Sequence, residues 1–305
     1  MGKIAFVFSG QGAQYTGMGK ELCSCSTKAA GLFALADSIR PGTSVQCFEG
    51  DSETLSVTEN TQPCVFCVDL AAALALDEKG IKADVVAGFS LGELAAITYA
   101  GMLGQEEGFR LVCARAGHMN RAAGSVNSVM AAILKLDNET VENLCGKYKE
   151  VYPVNYNCPG QLVVSGSAEE MEQLKGDVKG AKGRYLQLPV SGGFHSPFMN
   201  KAAEAFASDL AACSFGEGNI PVYSNCTASR YEGDTRELLE KQINNPVRWQ
   251  KIIENMISEG VDTFIECGPG KTLSNFILKI NENVKVFNVE DENSLNATVK
   301  ELADA

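Results

Sequence analysis

Short apolar runs alternate with helical segments along most of this chain. Five of the runs have the length and composition of strands, and they cover residues 4–8, 85–87, 222–224, 263–267 and 284–289. Strands that are buried on both faces are almost continuously apolar, because no position of such a strand meets water. Strands that alternate with helices in this way predict an α/β fold with a parallel sheet and helices on both faces.

A different pattern interrupts this alternation between about residues 128 and 190. The order is strand, helix, strand, strand, helix, strand, with strands expected at 130–136, 151–157, 161–165 and 183–190. One helix begins at Asn138, and the other begins at Ser167, where Ser167 and Glu170 have the spacing of a capping box. The order βαββαβ is that of a ferredoxin-like module.

The two patterns together predict two subdomains. A large α/β catalytic subdomain would consist of residues 1–126 and 194–305, and a small ferredoxin-like subdomain would be inserted at residues 127–193. Junctions between such units are common places for ligand-binding clefts. We therefore look for the functional residues near the edges of the insert.

Composition narrows the class of protein. The chain has 305 residues, of which 45% are hydrophobic and 21% are charged, as in an ordinary globular protein. No apolar run is long enough for a secretion signal or a membrane span, so we expect a cytoplasmic protein that does not enter a membrane. A net charge of −12 argues against nucleic acid as a partner.

The eleven cysteines are expected to be reduced. Their number is odd and no secretion signal precedes them, so a disulfide framework is not indicated. Cys64 and Cys67 have the spacing of a redox motif, but they open an apolar helical run in which small buried thiols are common. A single CxxC is also too little to bind a metal, so we predict no metal site there.

The clearest chemical motif is Gly-Phe-Ser-Leu-Gly-Glu at residues 88–93. It follows the apolar run 85–87 and precedes a helical run, which is the strand, turn and helix context of a nucleophile elbow in an α/β-hydrolase-like core. Ser90 would then be a nucleophile, and the backbone N–H of Leu91 would form half of an oxyanion hole. The alternative is a glycine-flanked turn whose serine only caps the helix.

A second oxyanion donor should come from a neighbouring strand end. Gln11 lies in the glycine-rich turn after the first strand, where its N–H could approach a substrate. The segment lacks the lysine and the spacing of a phosphate-binding loop. It could also be no more than a glycine-rich turn.

A serine nucleophile needs a base, and histidine suits neutral pH. The chain has only two histidines. His118 lies inside the helical run 109–122, where a surface position is ordinary, whereas His195 lies in the loop 191–199 at the edge of the insert. We therefore assign His195 as the base, with a loop histidine bonded to backbone as the alternative.

Arg115 lies on an apolar face of the same helical run. Its neighbours one turn away are mostly apolar, namely Leu111, Val112, His118 and Met119. A buried guanidinium needs a partner, because an isolated buried charge is costly. That partner could be a carboxylate of the protein or, beside a nucleophile, a carboxylate of the substrate.

Taken together, the motifs make the chain similar to the malonyl-CoA:acyl carrier protein transacylases of fatty-acid synthesis. The resemblance covers essentially the whole chain. Its signatures are Phe-Ser-Gly-Gln-Gly-Ala-Gln at 8–14, Glu-Asn-Thr-Gln-Pro at 59–63, the elbow at 88–93, Arg115, Val-Asn-Tyr-Asn-Cys-Pro-Gly-Gln at 154–161, Phe-His-Ser at 194–196, Asn-Pro-Val-Arg-Trp at 245–249 and Glu-Cys-Gly-Pro-Gly-Lys at 266–271.

This resemblance implies a ping-pong reaction in which Ser90 takes a malonyl group from malonyl-CoA and passes it to the phosphopantetheine thiol of acyl carrier protein. His195 would act as base and then acid, with Gln11 and Leu91 as the oxyanion hole and Arg115 on the malonyl carboxylate. A main-chain carbonyl at Gln242 would orient the histidine in place of an acid. The resemblance also implies that no cofactor is needed, since malonyl-CoA is a substrate. We expect the protein to be a monomer.

The resemblance also marks finer features. Gln62, Asn155 and Asn157 match positions near the family's substrate pocket. Phe194 before the histidine resembles malonyl-selective members more than methylmalonyl-selective ones. Phe89 departs from the usual Gly-His-Ser-Leu-Gly, which puts the shape of the pocket and the acyl selectivity in doubt.

Two other classes of protein have to be weighed. An esterase would normally have an acid between serine and histidine along the chain, and the candidates Asp137 and Asp177 both fall in the small module. A noncatalytic interaction module would leave Ser90, His195 and Arg115 without a role. Four basic residues are candidates for docking the carrier protein, namely Lys175, Lys179, Lys182 and Arg184. The alternative is that they form only a solvated face.

Overall fold

A computed structural model describes residues 2–190 and 192–303, so Ser191 of the loop that holds His195 lies outside the described residues. Nine strands are present in these residues: β1 (Lys3–Phe8), β2 (Val85–Gly88), β3 (Ser128–Leu134), β4 (Val151–Cys158), β5 (Gln161–Ser167), β6 (Arg184–Gln187), β7 (Val222–Tyr223), β8 (Val261–Cys267) and β9 (Lys285–Val289).

Fourteen α-helices accompany them in the same residues: α1 (Lys20–Cys25), α2 (Thr27–Ile39), α3 (Thr43–Glu49), α4 (Ser52–Ser56), α5 (Thr58–Glu78), α6 (Gly92–Tyr99), α7 (Gln105–Ala123), α8 (Asn138–Cys145), α9 (Ala168–Gly180), α10 (Asn200–Ala212), α11 (Thr235–Asn244), α12 (Trp249–Ser258), α13 (Thr272–Ile280) and α14 (Glu292–Ala303). A short 3₁₀ helix, Pro197–Met199, follows the loop of His195.

The large sheet is parallel and has the strand order β7-β2-β1-β8-β9. Central strand β1 is covered on both faces. Phe6 and Phe8 pack into one apolar core, and Ala5 and Val7 pack into a second core that contains Trp249. This two-sided burial explains the continuous apolar run in the sequence. All five predicted runs form strands of this sheet, and β7 is shorter than predicted.

The small sheet is antiparallel and has the order β4-β5-β3-β6. Its two faces are apolar for different reasons. Ala131 and Ile133 of β3 pack under α8 and α9, whereas Met130 and Ala132 belong to the core of the large sheet. The predicted α/β core with a small βαββαβ unit is therefore confirmed. The exact subdomain boundaries, 127–193 for the insert, stay a prediction.

One local prediction in the small unit is wrong. Ser167 is the residue before α9, but its side chain makes no capping hydrogen bond. The Glu170 carboxylate instead accepts hydrogen bonds from the backbone N–H groups of Lys149 and Glu150, at 3.3 and 2.6 Å. The carboxylate is therefore used to hold the turn before β4, because that turn lies beside the first turn of α9. The last predicted strand also ends early, at Gln187.

Backbone hydrogen bonds tie the small sheet to the large unit. The N–H of Tyr156 donates to the carbonyl of Val247 at 2.9 Å, and the N–H of Val247 donates to the carbonyl of Val154 at 2.8 Å. Strand β4 is thus fixed beside the segment that leads into α12. None of the helices in the described ranges is long and apolar enough to cross a membrane.

Candidate active site

Ser90 lies at the carboxyl end of β2, in the turn that leads into α6. Its φ is +56°, a left-handed value that a residue with a side chain adopts only at some cost. The flanking glycines permit the turn, because a Cβ at Gly88 would overlap the backbone of Gly92 and a Cβ at Gly92 would overlap the backbone of Phe8. The sequence therefore builds a sharp turn that presents the serine hydroxyl beside the helix N-terminus.

His195 is in direct contact with Ser90. Its Nε2 is 2.7 Å from Ser90 Oγ, and its Nδ1 is 2.9 Å from the backbone oxygen of Gln242. A carbonyl oxygen can only accept, so Nδ1 carries the proton and Nε2 is free to accept one from the serine. Burial and the nearby charge of Arg115 lower the pKa of His195 to about 4, which keeps the imidazole neutral.

No acid completes a triad in the part of the chain that the structure describes. Asp137 caps α8 by accepting from the N–H of Thr140 at 2.7 Å, and Asp177 pairs with Lys147 at 2.9 Å. Both therefore have structural partners in the small unit. The second histidine, His118, lies toward the outside of α7 with Nε2 at 2.6 Å from Asp209.

Arg115 is buried next to the nucleophile, with 1% of its surface exposed. Its guanidinium donates to three neutral oxygens: Oε1 of Gln62 at 2.7 Å, Oε1 of Gln242 at 2.7 Å and Oγ of Ser90 at 3.1 Å. No ion pair to Arg115 is found among residues 2–190 and 192–303. Burial lowers its pKa to about 10, so the group remains a cation at neutral pH.

Two backbone N–H groups beside the serine are available as donors. The N–H of Gln11 and that of Leu91 bond to no acceptor within the described ranges. The N–H of Ser90 itself is occupied, because it donates to Oδ1 of Asn225 at 2.8 Å. Gln11 is fixed from its side chain, which donates to Thr58 Oγ1 at 3.1 Å.

A cleft of about 480 Å³ opens above these groups. It is lined by Ser90 and His195 together with Gln11, Gln62, Phe89, Met119, Met130, Asn155, Leu188, Val190 and Phe194. The structure thus brings together most of the residues that the sequence singled out. Arg115 and Gln242 bond Ser90 and Leu91 follows it in the chain, although none of these three lines the cleft. Asn157 is buried two residues beyond Asn155 along β4 and neither lines the cleft nor bonds Ser90.

Phe89 forms part of the wall between this cleft and a neighbouring one, which is lined by residues 9–13 and the start of α13. Its ring packs edge-on against Trp249, with the ring centroids 5.6 Å apart. Gly10 makes room for it, because a Cβ there would lie 2.8 Å from the Phe89 ring.

Three residues of the site were not predicted from the sequence, namely Glu93, Asn225 and Tyr231. Glu93 is fully buried and accepts from the N–H of Asn225 at 3.0 Å, from the hydroxyl of Tyr231 at 2.6 Å and from Nε2 of Gln242 at 2.8 Å. Burial raises its pKa to about 7. A usable signal did exist for Asn225, because it follows β7, whose carboxyl end lies beside that of β2.

Within residues 2–190 and 192–303, no group of three or more His, Cys, Asp or Glu side chains could hold a metal ion. The expected independence from metals and cofactors stays a prediction.

A parallel α/β core that carries a serine on a nucleophile elbow, with a histidine from a separate loop 2.7 Å from its hydroxyl, is an arrangement of enzymes that move acyl groups through a serine. Comparison with known proteins gives the family. The chain matches the acyl transferase domain family over residues 5–300, so it belongs to that family and is an acyltransferase. The resemblance noted in the sequence is confirmed.

Three relatives illustrate the likeness. A malonyl CoA-acyl carrier protein transacylase of Bacillus subtilis is 40% identical over 100% of this chain and 98% of its own. The crystal structure of a malonyl CoA-acyl carrier protein transacylase from Clostridium perfringens has a TM-score of 0.96 and 38% identity, covering 99% of this chain and 98% of that one. A malonyl-transacylase in complex with a type II PKS acyl-carrier protein has a TM-score of 0.94 and 32% identity, covering 98% and 99%.

Proposed function

We propose that the protein transfers the malonyl group of malonyl-CoA to the phosphopantetheine thiol of acyl carrier protein through an acyl-enzyme at Ser90. The observation that carries this proposal is the state of Arg115. A buried cation lies 3.1 Å from the serine hydroxyl and has only neutral oxygens as partners among the described residues. Such a cation suits an acyl group that brings its own carboxylate. The names of the relatives point to the same substrate.

The first half-reaction follows from the contacts of Ser90. Its Oγ gives a proton to Nε2 of His195 and attacks the thioester carbonyl of malonyl-CoA. The N–H groups of Gln11 and Leu91 stabilise the negative oxygen of the tetrahedral intermediate. The carbon–sulfur bond then breaks, His195 returns the proton to the departing sulfur, and coenzyme A leaves with malonyl bound to Ser90 as an ester.

The second half-reaction reverses these steps with a new thiol. His195 takes the proton of the phosphopantetheine thiol, and the sulfur attacks the malonyl ester. The oxyanion is again held by the two N–H groups, and the bond to Ser90 Oγ breaks as His195 reprotonates that oxygen. The enzyme is regenerated, and the carrier protein holds the malonyl thioester.

Gln242 takes over the orienting role that an aspartate has in a triad. Its backbone oxygen accepts from Nδ1–H of His195 at 2.9 Å, which fixes the tautomer in which Nε2 is the base. A neutral carbonyl adds no negative charge next to the imidazole. The pKa of His195 therefore stays low. No carboxylate bonded to the imidazole offsets the effect of the Arg115 charge on that pKa.

Gln62 and Gln242 hold the guanidinium plane of Arg115 from two sides, at 2.7 Å each. An arriving malonyl carboxylate would displace or share the weakest of the three contacts, the one to Ser90 Oγ. Asn155 lines the cleft, and its buried Oδ1 has no hydrogen-bond partner among the described residues, so we assign it to bond the substrate. Asn157 does not line the cleft, and its role stays a prediction from the resemblance.

Covalent labelling tests the nucleophile. Intact-protein mass spectrometry after exposure to malonyl-CoA should show one malonyl adduct on the wild-type chain and none on Ser90→Ala. The matched control is Ser229→Ala, since Ser229 is an exposed loop serine. An undiminished adduct on Ser90→Ala would refute the assignment.

Acyl selectivity tests the carboxylate anchor. Arg115→Ala should lose its preference for malonyl-CoA over acetyl-CoA by about 100-fold, the worth of one charge-assisted pair of about 3 kcal/mol. Arg110→Ala, on the exposed side of the same helix, is the control. A selectivity that stays at the wild-type ratio would mean that Arg115 serves the fold alone.

We expect the acceptor to be an acyl carrier protein of fatty-acid synthesis, because that is the family the signatures resemble, although one similar structure holds a type II PKS carrier. A monomeric state and a cytoplasmic location stay predictions.

A further inference from the structure

We propose that Asn225 is a positioning residue for the nucleophile: its side chain clamps the strained turn of Ser90 from both sides and so aims the serine hydroxyl and the Leu91 N–H. This inference rests on the proposed role of Ser90. It concerns a residue that does not touch the substrate, because Asn225 is fully buried and both ends of its side-chain amide are bonded to the protein backbone.

The clamp consists of two hydrogen bonds that straddle the turn. Oδ1 of Asn225 accepts from the N–H of Ser90 at 2.8 Å, and Nδ2 donates to the carbonyl of Gly88 at 2.7 Å. One group that accepts and one that donates, at this spacing, is what a primary amide offers. The backbone partners also fix which end of the amide is oxygen.

The turn needs such a clamp because Ser90 has a φ of +56°. Left-handed backbone is unfavourable at a residue with a side chain, and it persists only where the surroundings hold it. The two bonds occupy the polar groups just before and at Ser90. If Asn225 were lost, two buried backbone groups would be unsatisfied, and the turn could relax toward negative φ.

Asn225 is itself held by a buried carboxyl. Its backbone N–H donates to Oε1 of Glu93 at 3.0 Å, and its carbonyl accepts from the N–H of Arg248 at 3.0 Å. Glu93 lies in the first turn of α6, directly after the elbow, so the loop after β7 and the nucleophile turn are joined in a closed ring of bonds. Gln242 enters the same ring, since its Nε2 donates both to Glu93 and to the Ser90 carbonyl, at 2.8 and 2.5 Å.

The clamp also decides which donors form the oxyanion hole. Since Asn225 occupies the Ser90 N–H, that group is withheld from the substrate, and Leu91 is the first donor available in the turn. A rotation of the peptide at Ser90 would redirect the Leu91 N–H together with Oγ. Small misplacements of reacting groups cost about 100-fold in rate. Binding of malonyl-CoA should be spared, because Arg115 and the cleft walls are untouched.

The experiment measures single-turnover acylation of Asn225→Ala by malonyl-CoA. The acylation rate should fall by about 100-fold, with the substrate concentration at half-maximal rate changed less than threefold. Asn255→Ala is the matched control, because Asn255 makes a similar bond from its Nδ2 to the backbone of Ala228, at 2.8 Å, but does not contact the elbow. The control should lose comparable thermal stability and acylate at nearly the wild-type rate.

A second variant keeps the proposal testable if the alanine variant does not fold. Asn225→Asp retains the acceptor for Ser90, but an ionised carboxylate cannot donate to Gly88. Protonation restores a hydroxyl donor of the same shape, so the acylation rate relative to wild type should rise as the pH falls from 8 to 5. Glu93 bonds the backbone of Asn225 and Tyr231 bonds Glu93, while Arg115 and His195 bond Ser90 across the turn. Cys226 follows Asn225, and Arg248 donates its N–H to the Asn225 carbonyl; all these groups are common to both proteins.

The outcomes separate this inference from the proposed function. If Ser90→Ala still forms the adduct, the proposed nucleophile is wrong. If Ser90→Ala is inert while Asn225→Ala acylates at the wild-type rate, or the Asn225→Asp ratio does not change with pH, the clamp is refuted and the nucleophile stands.

Discussion

The neutral state of His195 gives a prediction that can be worked out from the structure. Burial and the charge of Arg115 lower the pKa of His195 to about 4. At pH 5, roughly nine-tenths of such a base is neutral, whereas roughly 3% of an imidazole with the ordinary pKa of about 6.5 would be neutral. Acylation by malonyl-CoA should therefore be nearly constant from pH 8 to pH 5 and decline only toward pH 4.

The difference between the two cases is about 30-fold in rate at pH 5, or about 2 kcal/mol. The assay is acylation in a single turnover, quenched at set times and read by intact-protein mass spectrometry, because the carrier protein and its thiol then play no part. An acidic limb with a midpoint near pH 6.5 would refute the reasoning, since it would mean that His195 is solvated in the free enzyme or paired with an acid.

The Arg115→Ala variant provides a second test of the pKa of His195. Removing the guanidinium removes a charge that lowers the pKa of His195. With acetyl-CoA as the acyl donor for both proteins, the acidic limb of the variant should therefore move to higher pH. Folding has to be checked by circular dichroism, because a depressed histidine pKa contributes stability above pH 6.5 that is lost as the pH falls toward about 4.

Three further changes should have measurable effects. Phe89→His gives up part of the edge-on contact with Trp249 and should lower the free energy of unfolding by about 1 kcal/mol, and an unchanged urea midpoint would contradict this. Asp69→Asn removes a carboxyl whose pKa burial raises well above its ordinary value. A raised folded pKa means that wild-type stability falls as the pH rises, so the variant should gain stability relative to wild type between pH 5 and 8, and a constant difference in urea denaturation would refute this. Lys179→Glu, at an exposed lysine of α9 that belongs to the predicted docking residues, should raise the KM for acyl carrier protein and leave the KM for malonyl-CoA unchanged, and an unchanged KM for the carrier would dismiss this docking surface.

The fold was predictable because its signals are local. The two-sided burial of β1 produces an unbroken apolar run in the sequence. In the small unit, the helices and strands are each marked by the spacing of their apolar residues, and the turns are marked by their residue types. The failure at Ser167 and Glu170 has a non-local cause. A capping box presumes that the carboxylate turns back onto its own helix, but here Lys149 and Glu150 of a neighbouring turn offer N–H groups to it.

The residues of the site likewise differ in whether their signals are local in the sequence. Ser90 is marked by glycines next to it in sequence, and His195 was found because so few histidines are available. Asn225 and Glu93 bond residues 132 to 149 positions away. The place of Asn225 after β7 becomes informative only once β7 is known to pair with β2, and a glutamate in a helix gives no indication of such partners. Their roles arise only where the carboxyl ends of β2 and β7 meet.

The sequence could not decide whether the buried Arg115 pairs with a carboxylate of the protein or with a carboxylate of the substrate. A carboxylate is present, but Glu93 does not reach the guanidinium: the amide of Gln242 stands between them, with Oε1 toward Arg115 and Nε2 toward Glu93, at 2.7 and 2.8 Å. The spacer keeps the Glu93 carboxyl near Arg115, where its ionised form raises the pKa of the guanidinium, while the guanidinium itself bonds only neutral oxygens. A direct ion pair at this place would compete with a malonyl carboxylate, and an amide between the charges removes that competition.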